Sequence, residues 1–132
     1  MNLTEKLLAM DAKKYKEKTT DKLEIKRLSK MTGEPFFITI QELDDDRFQE
    51  FQAMLLNDKG KVDYSQVRKI NALMCVDGVI EPSLKDEELR KHFGAATPKE
   101  LAEILFRGND LGMVADAIAN INNFETEEEV KN

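Results

Sequence analysis

The hydrophobic period of this chain changes once, and that change restricts its fold more than any other feature. Between residues 21 and 41 apolar positions alternate with polar ones, whereas from residue 42 onward they recur every three to four residues. Leu23 and Ile25 are separated by Lys22, Glu24 and Lys26, the signature of a strand with one buried face. Thr32-Gly33-Glu34-Pro35 supplies strong turn chemistry. Phe36-Phe37-Ile38-Thr39-Ile40 follows, rich in β-branched and aromatic residues, with Phe36, Ile38 and Ile40 on one face. The pattern predicts a β-hairpin over 21–41. An isolated hairpin is marginal in water. Its apolar face therefore covers the helices that follow, or its exposed edge pairs with another chain.

The remainder reads as helix. Asp44-Asp45-Asp46 suits a helix start, because carboxylates accept from the free amides and complement the positive end of the dipole. Phe48, Phe51 and Leu55 form a stripe widened by Met54 and Leu56, and Asn57-Asp58-Lys59-Gly60 stops it. Asp63 caps a second helix carrying Val67, Ile70, Leu73 and Met74, which ends at Asp77-Gly78. Val79 to Leu84 is a connector with an apolar start. A short helix near Asp86–His92 stops at Gly94. Thr97-Pro98-Lys99-Glu100 is the clearest start in the chain, with Thr as cap, Pro at the first helical position and Glu three residues after the cap. Leu101, Ile104 and Leu105 give that helix its stripe. Leu111, Val114, Ile118 and Ile121 line the last one. The expected class is α+β, mostly α: an N-terminal β-hairpin followed by a bundle of four to five short helices. Ile38, Phe51, Ile70, Leu101 and Ile118 are expected in one core.

At 132 residues the chain has the length of one domain. Residues 1–20 read as a flexible basic arm with at most one short helix, 21–124 as a single domain (hairpin 21–41, helical part 42–124), and 125–132 as an acidic tail. No apolar run approaches the ~20 residues of a membrane span, and the charged start lacks a signal peptide's apolar stretch. The lone Cys75 forms no internal disulfide, so a reducing cytoplasm is the expected compartment.

Catalytic chemistry finds little to work with. Cys75 and His92 are seventeen residues apart with no motif around either, and Cys75 belongs to an apolar stripe, where cysteine acts as a small hydrophobe. A zinc site needs about four ligands, typically Cys and His. Aligning Gly60 with the glycine of a calcium loop puts Leu55, Lys59 and Gln66 where oxygen ligands belong. Glycine-rich phosphate loops and G-x-S-x-G or H-E-x-x-H motifs are absent. No enzyme, no cofactor and no metal are expected, which leaves binding or assembly.

Charge is unevenly divided. Residues 1–34 hold nine Lys/Arg against six Asp/Glu, and residues 35–132 hold eleven against twenty. Lys13-Lys14-Tyr15-Lys16-Glu17-Lys18 is the densest basic run. Clustered cations attract phosphate without sequence readout, but an acidic molecule with one short basic run is a poor nucleic-acid binder. Nucleic acid and membrane are not expected partners.

Two blocks carry a family resemblance. The first is Leu23-Glu24-Ile25-Lys26-Arg27-Leu28-Ser29-Lys30, then Gly33-Glu34-Pro35-Phe36, then Ile38-Thr39-Ile40 and an acidic helix start. The second is Val79-Ile80-Glu81-Pro82-Ser83-Leu84-Lys85-Asp86-Glu87-Glu88-Leu89, then Phe93-Gly94 and Thr97-Pro98-Lys99-Glu100-Leu101, continuing through the break Arg107-Gly108-Asn109-Asp110 to Ile121-Asn122-Asn123-Phe124. In order and spacing these resemble the XkdN-like phage tail assembly chaperones of PBSX-type prophages and long-tailed phages. The family's break usually has a Pro-Gly-Glu character that Arg107–Asp110 lacks. The resemblance implies a non-enzymatic protein that holds the helical tape measure protein while tail tube subunits polymerise around it. It also implies a location in the bacterial host cytoplasm and absence from the mature virion. Self-association, and a regulatory or nucleic-acid-associated phage protein using the basic N-terminal third, stay open beside it. The working surface is expected on the hairpin, with Leu23, Ile25, Phe36 and Phe37 as partner contacts and with core burial of all four as the competing reading.

Overall fold

The computed structural model describes residues 2–123; the expected acidic tail, 125–132, and Phe124 lie outside the described residues. Two short helices, α1 (Leu3–Leu8) and α2 (Ala12–Lys16), open the chain where the sequence predicts one at most. Local caps specify both. Asn2 Oδ1 accepts from the Glu5 N–H at 2.8 Å, and Asp11 Oδ1 from the Lys14 N–H at 3.1 Å. Neither helix buries a residue.

Strand β1 (Thr20–Glu24) pairs antiparallel with β2 (Phe37–Gln41), Leu23 opposite Ile38 and Glu24 opposite Phe37. The two strands are thus paired as the alternation predicts, but their connection is not a tight turn. Helix α3 (Lys26–Thr32) fills it, closed by Gly33 at φ +81°, a left-handed cap that suits glycine. Ser29 Oγ donates to Glu24 Oε2 and accepts from the Phe36 N–H, each at 2.8 Å, and so joins both strand ends to α3. A third strand, β3 (Val79–Glu81), pairs antiparallel with β2 and makes the sheet order β1-β2-β3. The apolar start of the connector after Gly78 is therefore an edge strand, with Val79 buried and Ile80 exposed.

Five more helices complete the described residues: α4 (Asp45–Met54), α5 (Val67–Gly78), α6 (Glu87–Phe93), α7 (Pro98–Leu105) and α8 (Asp110–Asn122), of which α8 packs on β1 and β2 and α5 on β3. The molecule is α+β and mostly helical. Thr97 Oγ1 accepts from the Glu100 N–H at 3.1 Å while Glu100 Oε2 accepts from the Ala96 N–H at 2.9 Å, a two-way cap for α7. Helix α5 lies centrally and packs on both α7 and α8. At its C-terminus a Cβ on Gly78 would sit 2.5 Å from Ile118 Cδ1, so this glycine permits the close approach of α8. One turn beyond Ile118, Asn122 holds the C-terminus of α8, accepting from the Leu43 N–H and donating to the Leu43 carbonyl, each at 2.8 Å.

The expected core residues Ile38, Phe51, Ile70, Leu101 and Ile118 are all buried in one cluster. Ile104 is not. Helix α7 turns Leu101, Ala102 and the following Phe106 inward and leaves Ile104 exposed, and Met54 and Leu56 at the end of α4 are exposed as well.

Candidate functional site

The cross-strand register decides where the four expected contact residues fall. Directly paired residues share a face, so Asp21, Leu23, Ile38 and Ile40 look toward the helices, whereas Lys22, Glu24, Phe37 and Thr39 look outward. Ile25 continues the inner face. It is fully buried, and its N–H donates to the Phe36 carbonyl at 3.0 Å. Ile25 thus lies buried at the foot of α3. Leu23 and Phe36 are half-buried and pack against the core. Phe37 alone is exposed, at 53%. The four residues therefore do not form one surface.

The sequence reading missed a groove of about 900 Å³ between β1, the start of α5 and the outer side of α8. Its residues follow from helical periodicity. Leu111, Val114, Ala115 and Ile118 take α8 into the core. The other side of the same helix presents Asn109, Gly112, Met113, Asp116, Ala117 and Asn120 to the groove. Opposite them stand Tyr64, Val67, Arg68 and Asn71, at the same spacing of three and four residues. Asp21, Lys22 and Leu23 close the side along β1. Apolar side chains and small residues thus form the floor, with amides and both signs of charge at the rim. The signal was legible in α8 as a second stripe of small and amide residues beside the hydrophobic one.

Elsewhere the polar side chains serve the fold. Arg47 donates from Nε to Asp77 Oδ2 and from Nη1 to Glu50 Oε2, each at 3.0 Å, and its guanidinium lies 4.2 Å from the centre of the Phe51 ring. These contacts tie α4 to α5. Burial pushes the Cys75 thiol up to about 12, so it stays protonated and is a poor nucleophile. His92 is exposed on α6, edge-on to the Phe93 ring. Among the described residues no group of three or more His, Cys, Asp or Glu side chains is placed to hold a metal ion. No helix there is long and apolar enough to cross a membrane.

A three-stranded sheet backed by α5 and α8, with the other helices packed around them, an open groove and an unpacked N-terminal arm, defines a small mostly helical α+β protein. The family model for the phage XkdN-like tail assembly chaperone protein matches residues 4–132, and the chain belongs to that family. Its fold is similar to the crystal structure of the protein YqbN, with a TM-score of 0.56 at 20% identity, over 80% of this chain and 87% of that one. A comparison with curated proteins gave no match.

Proposed function

We propose that the protein is a non-enzymatic chaperone that binds the tape measure protein and promotes tail tube assembly in the cytoplasm of the bacterial host, and that it is absent from the mature virion. Family membership over residues 4–132 carries this reading. The client-contacting surface is the outer side of the sheet centred on Phe37, with Leu23, Ile25 and Phe36 fixing its strands to the core behind it. An exposed aromatic on a strand, flanked by Lys22 and Thr39 whose side chains are joined at 2.9 Å, offers apolar area on a rigid support. An apolar ring at 53% exposure stabilises nothing inside its own domain that a partner would not stabilise further.

The test co-expresses the protein with the tape measure protein and measures client solubility. Phe37→Lys is expected to abolish rescue while leaving the circular dichroism spectrum and thermal unfolding unchanged, because the side chain is already half in water. Undiminished rescue by Phe37→Lys, or a client that stays soluble alone, contradicts the mechanism. Salt-sensitive retention on DNA through the Lys13–Lys18 run, without client rescue, favours the regulatory reading instead.

A further inference from the structure

Where α3 leaves β1, one bond of the β1–β2 ladder is exchanged for another, and Ser29 makes the exchange. In an antiparallel ladder every second pair of residues exchanges two backbone bonds. Ile25 and Phe36 form such a pair, extending the register that sets Leu23 opposite Ile38. Only half of it runs between the strands: the Ile25 N–H donates to the Phe36 carbonyl at 3.0 Å. The Ile25 carbonyl accepts instead from the Ser29 N–H at 2.9 Å, the first bond of α3. The Phe36 N–H thereby loses its ladder acceptor. Ser29 Oγ takes that place, at 2.8 Å. One residue thus removes a ladder bond with its backbone and replaces it with its side chain.

The same hydroxyl donates to Glu24 Oε2 at 2.8 Å. Glu24 is the residue directly opposite Phe37 on the outer side of the sheet. Opposed side chains stand about 5 Å apart at Cβ, so an unheld carboxylate would lie beside the Phe37 ring. Ser29 holds one of its oxygens against α3. Local propensity gives little reason for a serine here. It is a poorer helix former than alanine, and α3 has only seven residues. Both of its side-chain bonds leave the helix, one to the last residue of β1 and one to the residue before β2.

We infer that Ser29 is a positioning residue for the contact surface at Phe37. It acts through the Phe36 N–H, which fixes the backbone from which Phe37 projects. It acts also through Glu24, whose charge it draws away from the exposed ring. The inference rests on the reading of Phe37 as the client contact and gives Ser29 a role made through its neighbours. The role needs a donor and an acceptor on one short side chain. Threonine supplies both, whereas alanine supplies neither.

The test compares Ser29→Ala, Ser29→Thr, Ile70→Val and Phe37→Lys in the full chain, each co-expressed with the tape measure protein. Ile70→Val takes one buried methyl group from α5 and controls for a general loss of stability. Ser29→Ala is expected to lose most of the client rescue while keeping the circular dichroism spectrum of the parent. Ser29→Thr and Ile70→Val are expected to retain rescue. Hydrogen exchange in the free protein supplies a readout that needs no client. The Phe36 amide is expected to exchange about tenfold faster in Ser29→Ala than in Ile70→Val, as the loss of one hydrogen bond predicts. Rescue by Ser29→Ala equal to the parent's, beside a failing Phe37→Lys, overturns the inference and leaves the contact reading intact. Equal losses in Ser29→Ala and Ile70→Val make Ser29 a stabilising residue only and overturn it as well. So does a Phe36 amide that keeps the parent's rate in Ser29→Ala, or a folded Ser29→Thr without rescue. Undiminished rescue by Phe37→Lys overturns the contact reading and the inference with it.

Discussion

At the scale of single residues, burial determines chemistry. Cys75 is surrounded by apolar side chains, and desolvation of the thiolate holds its pKa near 12 against an ordinary 9.0. In the unfolded chain the thiol loses its proton near pH 9, whereas in the folded chain it keeps it. The stability due to the protonated thiol is therefore full below about pH 9 and is lost as pH rises toward 12, at about 1.4 kcal/mol per pH unit. Urea unfolding between pH 7 and 10.5 is expected to show the parent losing stability relative to Cys75→Ala above pH 9; parallel curves would contradict this. That Cys75 is buried was legible in the sequence, from its place in an apolar stripe. The role of Gly78 was not. Asp77-Gly78 reads as a helix stop and α5 does end at Gly78, but the missing Cβ is also what lets Ile118 approach. Close approach is a tertiary fact with no local signal. Ile25 and Phe37 divide for the same kind of reason, since alternation assigns residues to faces but does not say how deeply each strand end is covered.

At the scale of elements, the sequence was most legible where a period persists or a cap is explicit. Helix α7 begins where Thr97-Pro98 places it, and α8 buries the stripe of Leu111, Val114, Ile118 and Ile121 read for the last helix. The pairing of β1 with β2 also follows from alternation. Helix α3 was missed because seven residues hold fewer than two full turns of apolar pattern, and its only inward side chains are half-buried ones such as Leu28. Strand β3 was missed because period two cannot be read in three residues, and its pairing with β2 is made across forty residues of chain. The groove was missed because its walls mix small and amide residues with apolar ones, and the hydrophobic pattern selects only core faces. The elements that were read correctly meet in one core, to which Ile38, Phe51, Ile70, Leu101 and Ile118 each bring one element. Truncating any of them to Ala is expected to cost on the order of 2–5 kcal/mol by chemical denaturation, because each leaves a cavity that close-packed neighbours fill only in part. Neutral results at three or more of these positions would mean that the helices pack by other faces.

At the scale of the whole molecule, the chain divides by packing into an arm and a body. Helices α1 and α2 bury nothing, while among the described residues the hydrophobic side chains that reach the core lie between Leu23 and Ile121. Helices of six and five residues gain too little from their own hydrogen bonds to persist in water without tertiary support. Their amides in the monomer are therefore expected to exchange fast, as those of α5 and α8 do not. The link between arm and body lies at Lys18 and Thr19, which pair with Asp44 and Glu42. Removal of residues 2–16 keeps those contacts and the body's core intact. In dilute solution, where copies do not meet, its effect on unfolding free energy is expected to stay within about 0.5 kcal/mol, the range of surface changes that touch no packed group. A loss of about 2 kcal/mol or more on truncation in dilute solution would show α1 packed on its own body.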